Sequence, residues 1–212
     1  NTLLFLPFAA LFATLAISLI PDRKAEQRAI IVPRYLDDEL IRVPSMALER
    51  ARMELGHMGE LAEQMLTKVK SAFQSRDLSE LSLQYDQVVA LREAVLAYLQ
   101  HVGRAELSDA ESDEHARLVA AAGEIENLSA AISRELAPLA QTLKEAEITP
   151  SNETAALLER LFQTIQESAH GALRALVMGD ERAAQTVVAN RDPALQLTAE
   201  SHRKQPARLS RH

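Results

Sequence analysis

Ala51-Arg52-Met53-Glu54-Leu55-Gly56-His57-Met58-Gly59-Glu60-Leu61-Ala62-Glu63-Gln64-Met65-Leu66-Thr67-Lys68-Val69 decides the fold class. Apolar side chains recur at Ala51, Leu55, Met58, Ala62, Met65, Val69 and on to Phe73. Steps of four and three place them in one stripe along a helix. The spacing predicts a long helix from Ser45 to Ser75. Gly56 and Gly59 weaken a helix interior, since glycine has the most backbone freedom to lose. Their presence within the stripe's turn predicts close approach by another helix. His57, beside them, reads as a packing histidine.

The same spacing continues downstream. A second helix, with Asp77 as its cap, carries Leu81, Tyr85, Val88, Leu91, Val95, Tyr98 and Val102, and Gly103 marks its end. A third starts at Ser108 or Asp109 and carries Leu118, Ala122, Ile125, Leu128, Ile132, Leu136, Leu139 and Leu143, with Pro138 as a kink or break. Thr149-Pro150-Ser151 stops the chain and restarts it. A fourth helix holds Leu157, Leu161, Ile165, Ala169, Ala172 and Leu176. Gly179-Asp180 closes it and caps a fifth, with Ala184, Val187, Val188 and Leu195, which meets Pro193 in its middle. The basic tail runs from Arg203 to His212. Ala72–Asp77 and Ala175–Asp180 are matching junctions between helices of similar spacing. They suggest a duplicated three-helix unit whose final helix lies beyond His212. Any Asp-capped helical pair would look similar.

Upstream, residues 21–44 form a connector punctuated by Pro21, Pro33 and Pro44. Before it, Leu3–Ile20 contains no charged residue. A run of this length is about the minimum that crosses a hydrocarbon core as a helix. A cleaved signal peptide lacks support, because no basic segment precedes the run and Ser18-Leu19-Ile20-Pro21 is no small-x-small cleavage site. A buried core helix is the competing reading. The chain opens at Asn1 almost directly in the run, so a missing upstream part is expected. Arg23, Lys24, Arg28 and Arg34 follow it, and the positive-inside rule then puts the C-terminal side in the cytoplasm.

Composition narrows the function. The 212 residues include no cysteine, which excludes disulfides, thiolate metal sites and a cysteine nucleophile. A net charge of −7 argues against nucleic acid as a main partner. Aromatics are 4%, tryptophan is absent, and helix formers abound, so strands are not expected. No phosphate loop, G-x-S-x-G or H-E-x-x-H occurs, and no enzyme activity, catalytic residue or cofactor-binding residue is expected. Of the carboxylates, Asp109, Glu111, Asp113 and Glu114 gather at a helix start, where the macrodipole favours negative charge. Glu124 and Glu126 diverge around Ile125, and Glu60 and Glu63 read as a solvated face.

Pro33-Arg34-Tyr35-Leu36-Asp37, after a hydrophobic span and a short basic linker, resembles the C-terminal third of bacterial Na⁺/phosphate cotransporter family proteins. Those proteins end in a cytoplasmic PhoU-like helical domain. Val43–Arg52 resembles that domain's first helix, Asp86–Leu99 its second, and Gly123–Ser129 the segment carrying the PhoU signature. His202-Arg203-Lys204 resembles the loop toward the final helix. The signature is a carboxylate, three residues, then Asp, and it is associated with divalent or iron-type metal. Here Glu126 stands at the first carboxylate and Ala130 where the Asp would be. Val89 stands where the family often has Asp, and Asn190 and Asp192 form no clear pair. Glu126 and Asp86 are the oxygen ligands the resemblance leaves for a metal.

The resemblance thus implies an all-α chain: a transmembrane helix at 1–20, a linker at 21–44 and a PhoU-like antiparallel bundle at 45–212. It implies a sodium-dependent phosphate symporter in the cell inner membrane, multi-pass in full. Phosphate and sodium would be handled by the upstream transporter region, with the bundle regulatory and cytoplasmic. The partners implied are the membrane and that upstream domain, with homo-oligomerisation left open. The alternative is a membrane-anchored helical sensor or signalling domain, with a periplasmic bundle and a second span.

Overall fold

The stripe from Ala51 to Val69 is the buried seam of the longest helix, α1 (Pro44–Ser75). Ala51, Leu55, Met58, Met65 and Val69 are wholly buried, and Ala62 nearly so. Leu48, Leu66 and Ala72 widen the seam. Each large apolar side chain removed from water here contributes about 1.5–3 kcal/mol before chain entropy is counted. The computed structural model describes residues 32–75, 80–148 and 150–204, the side chains at 73–75, 194, 197–198 and 200–204 excepted. All belong to the compact unit that begins at Val32. No strand occurs among the described residues.

After α1 come α2 (Leu81–Val102), α3 (Asp109–Ala131), a π-helical turn (Ile132–Leu136), α4 (Ala137–Glu145), α5 (Asn152–Met178) and α6 (Glu181–Lys204). A 3₁₀ turn, Asp38–Arg42, precedes α1 and packs on α1 and α2. α1 is the hub. It contacts α2, α3, α4 and α5, while α6 packs on α5. All seven stripe residues named for the second helix are buried in α2. In α5, by contrast, Phe162 is the one buried side chain.

The helix ends follow local chemistry. Ser108 caps α3 in a reciprocal box, its Oγ accepting from the Glu111 amide while Glu111 reaches back to the Ser108 amide. Ser151 caps α5, and Asp180 Oδ1 accepts from the Ala183 amide at the start of α6. Gly179 lies in the left-handed region at φ 65°, the usual way for a helix to stop. Gly103 ends α2 differently. Its φ is −67°, and a β-carbon there would lie 3.2 Å from His115 Nε2. Here the glycine eases the close approach of His115 from α3 and supplies no left-handed turn.

Other expectations need correction. α2 begins at Leu81 with Glu80 at the cap position, and the expected cap, Asp77, lies outside the described residues. Pro138 marks an interruption of the expected third helix, which takes the form of a π turn ahead of it and not of a loop. It has no N–H for the carbonyl four residues back, and the π turn ahead of it widens the helix, with the Ala137 amide reaching Ile132 O. That turn inserts one residue into the stripe. Leu139 is therefore 50% exposed and Ala140 takes the buried position. In α5, Ala172 is exposed and the inward stripe shifts to include Phe162. In α6, Ala184, Val188 and Leu195 face outward, and Val187 packs on Gly171. Pro193 sits within α6 without ending it.

The span expected at 1–20 lies outside the described residues, as do residues 21–31 of the linker and the tail after residue 204. Among the described residues no helix is long and apolar enough to cross a membrane.

Candidate functional site

Glu126 projects from α3 toward α2, where the Tyr85 hydroxyl donates to its Oε1 at 2.7 Å. Burial pushes the Tyr85 pKa up, and the bond to Glu126 pushes it further, so the phenol stays a donor. The Arg134 guanidinium, in the π turn, stands 5.0 Å from the Tyr85 ring centre, within cation–π range. Asp86 is the next residue on α2 but is exposed. Successive helical residues diverge by about 100°, so Asp86 leaves the helix away from the Tyr85–Glu126 bond. Hard divalent ions take six or more oxygens. Among the described residues no group of three His, Cys, Asp or Glu side chains converges. Glu126 is engaged by a phenol, and Asp86 does not join it.

A second polar cluster escaped the reading of the stripe. Glu54 is wholly buried on α1, between Ala51 and Leu55 on the core face. Both its oxygens are occupied. The Tyr35 amide donates to Oε2 at 2.7 Å, and His57 Nδ1 lies 2.9 Å from Oε1. Two residues further along the connector, Asp37 accepts at its carbonyl from the Tyr98 hydroxyl of α2 at 2.9 Å. Burial raises the Tyr98 pKa, which keeps that hydroxyl protonated. The Asp37 side chain in turn accepts from the Glu39 amide and caps the 3₁₀ turn. The signal for Glu54 was available: a carboxylate three residues after Ala51 and one before Leu55 must enter the core and needs partners there.

The α1–α5 seam has its own pattern. As residue numbers rise along α1 they fall along α5: Gly56 meets Val177, Gly59 meets Leu173, Glu63 meets His170 at 3.2 Å and Lys70 meets Glu159 at 2.7 Å. The helices are therefore antiparallel, and the glycines are the contact points, as their position within the stripe predicts. His170 lies at the exposed edge of this seam. Between α1, α3 and α5 an apolar cleft of about 280 Å³ opens, lined by Gly59, Ala62, Ile125, Leu128, Ala169 and Leu173 among others. At the other end, Arg52 of α1 holds Glu114 of α3 through Nε at 3.1 Å and Nη2 at 2.6 Å. Burial alone would raise the Glu114 pKa, but Arg52 and Arg117 outweigh it and hold it low.

The chain is similar to two bacterial proteins that carry the name "Putative inorganic phosphate export protein YjbB". It is 27% identical to that of Salmonella typhimurium and 24% identical to that of Escherichia coli, over 180 residues in each case. The match covers 84% of this chain and 33% of each relative, so the chain spans about a third of the relatives' length. No family model matches the chain. No solved structure matches it.

Proposed function

We propose that the chain is the regulatory C-terminal region of a sodium-dependent phosphate transporter, with residues 45–212 forming a PhoU-like bundle on the cytoplasmic side of the inner membrane. The observation that carries this is the similarity to proteins named for phosphate export, along nearly the whole chain but along only a third of theirs. A region of that share fits a domain attached to transport machinery. The all-helical bundle of packed and capped helices supports the same reading. We propose no enzymatic role. The relatives' name specifies export; coupling to sodium is the finer part of the reading.

Cells lacking their own phosphate transporters and expressing the full-length protein test it. Radiolabelled phosphate flux should depend on the protein and change with the sodium gradient. Flux without sodium dependence would remove the coupling, and no phosphate flux would remove the reading. Reporter fusions after residue 204 fix the side of the membrane, and a periplasmic bundle would favour the anchored sensor instead.

A further inference from the structure

The connector is fastened to the bundle at two points that use buried polar groups. At the first, the Tyr35 amide is held by the buried Glu54 carboxylate, whose other oxygen meets His57. At the second, the Asp37 carbonyl is held by the Tyr98 hydroxyl of α2. Neither contact involves an exposed long side chain. Glu54 is 0% exposed, Tyr98 4% and His57 8%, so all three are buried where the connector meets the bundle. A carboxylate kept in an apolar seam costs free energy unless its oxygens are satisfied. Here one of its two partners comes from outside the helical core, from the backbone of the connector. If the connector lifts, Glu54 loses that partner. Release of the connector therefore costs a carboxylate that is buried in the closed arrangement one of its two partners.

We infer that Glu54, with Tyr98 as a second fastening, is a latch that locks residues 35–37 to α1 and α2, so that the connector and the bundle move as one body. Both helices take part, and the latch reads their relative position: a shift of α2 along α1 pulls the Asp37 carbonyl away from the Tyr35 amide's anchor. Because a backbone amide and a backbone carbonyl are the groups held, the latch depends on the connector's path and not on its side chains. Its use in passing bundle motion to the preceding segment rests on the regulatory reading proposed above; the latch itself does not.

Arg34 is exposed and immediately precedes the latched amide, so trypsin reports on the latch directly. The 212-residue chain in detergent is digested under native conditions, and cleavage of the Arg34–Tyr35 bond is compared with cleavage after Arg52 inside α1. Local opening sets such rates when reclosing is fast. Tyr98→Phe should speed cleavage after Arg34 by about fivefold, the equivalent of about one hydrogen bond, with Arg52 unchanged. Glu54→Ala should speed it by about tenfold or more, and Glu54→Gln, whose amide oxygen still accepts from Tyr35, by less. Should Glu54→Ala raise cleavage after Arg52 as well, the fold has loosened and Tyr98→Phe decides. Wild-type rates after Arg34 in Tyr98→Phe overturn the latch. So does a wild-type chain cut there as fast as a free peptide of the same sequence. Phosphate flux plays no part in this readout, so its loss and the loss of the latch are separate results.

Discussion

A hydrogen atom in place of a side chain sets the distance between α1 and α5. At Gly59 a β-carbon would stand 2.3 Å from Leu173 Cδ1, with Cδ2 and Cγ also inside 3.3 Å. The whole isobutyl group would have to move, and with it the seam. Gly59→Ala should lower stability by about 1–3 kcal/mol, as overpacked sites do. At Gly123, in α3, nothing lies within 4 Å of the added carbon. Gly123→Ala should raise stability by about 0.5–1 kcal/mol, because alanine loses less backbone entropy in a helix. Urea unfolding of the two variants checks both signs; equal effects would show that α5 does not sit where the seam places it. The pair at 56 and 59 was legible in the sequence because glycine inside a helical stripe has few other reasons to exist. Glu54 was legible in principle through its place on that stripe. Its partners were not, since Tyr35 is 19 residues away and is bound through its backbone, which every residue carries.

Elements follow from local rules where those rules act alone. The α3 start was readable from Ser108 and the acidic residues behind it. Glu111 is held below the ordinary carboxylate range by the Ser108 amide first and the Ser108 hydroxyl second. A folded pKa below the unfolded one means a contribution present above the ordinary range and lost as pH falls through the lowered value. Ser108→Ala should cost about 1 kcal/mol near neutrality, the usual loss for a serine cap. That gap should narrow in acid, measured by thermal unfolding across pH, and a gap that widens in acid would contradict the box. Glu114 has the same sign. Held low by Arg52 and Arg117 against its burial, it ties α3 to α1 only while ionised. Glu114→Gln should cost about 1–2 kcal/mol at neutral pH and much less in strong acid. The reading went astray where an element's period changed. Proline at 138 signals trouble, but not that the helix answers by inserting a residue, and the one-residue slip moved Leu139 outward and Ala140 inward.

At the scale of the molecule, the stripes of α1 and α2 were read almost residue by residue, whereas of the stripe expected in the third helix only Leu118, Ala122 and Ile132 are fully buried. The stripes of α1 and α2 are long and bury against several neighbours, α1 against four other helices. α5 and α6 were read less well. Val188 is 74% exposed, Leu195 58% and Met178 74%, so apolar residues on this hairpin do not report which face turns inward. Periodicity identifies a helix, while the side it buries depends on what packs against it. The functional reading lies at this scale too, for the transport chemistry proposed would belong to the two-thirds of the relatives that this chain does not match. A regulatory domain should change flux without being the path of the ion. The most direct test compares radiolabelled phosphate flux per molecule for the full-length protein and for a version ending before Pro44, at matched membrane levels. If the bundle is regulatory, the shortened protein still moves phosphate but at a rate no longer adjusted to the cell's phosphate supply. Identical flux and identical adjustment in the two proteins, or no phosphate flux in either, would contradict the proposal.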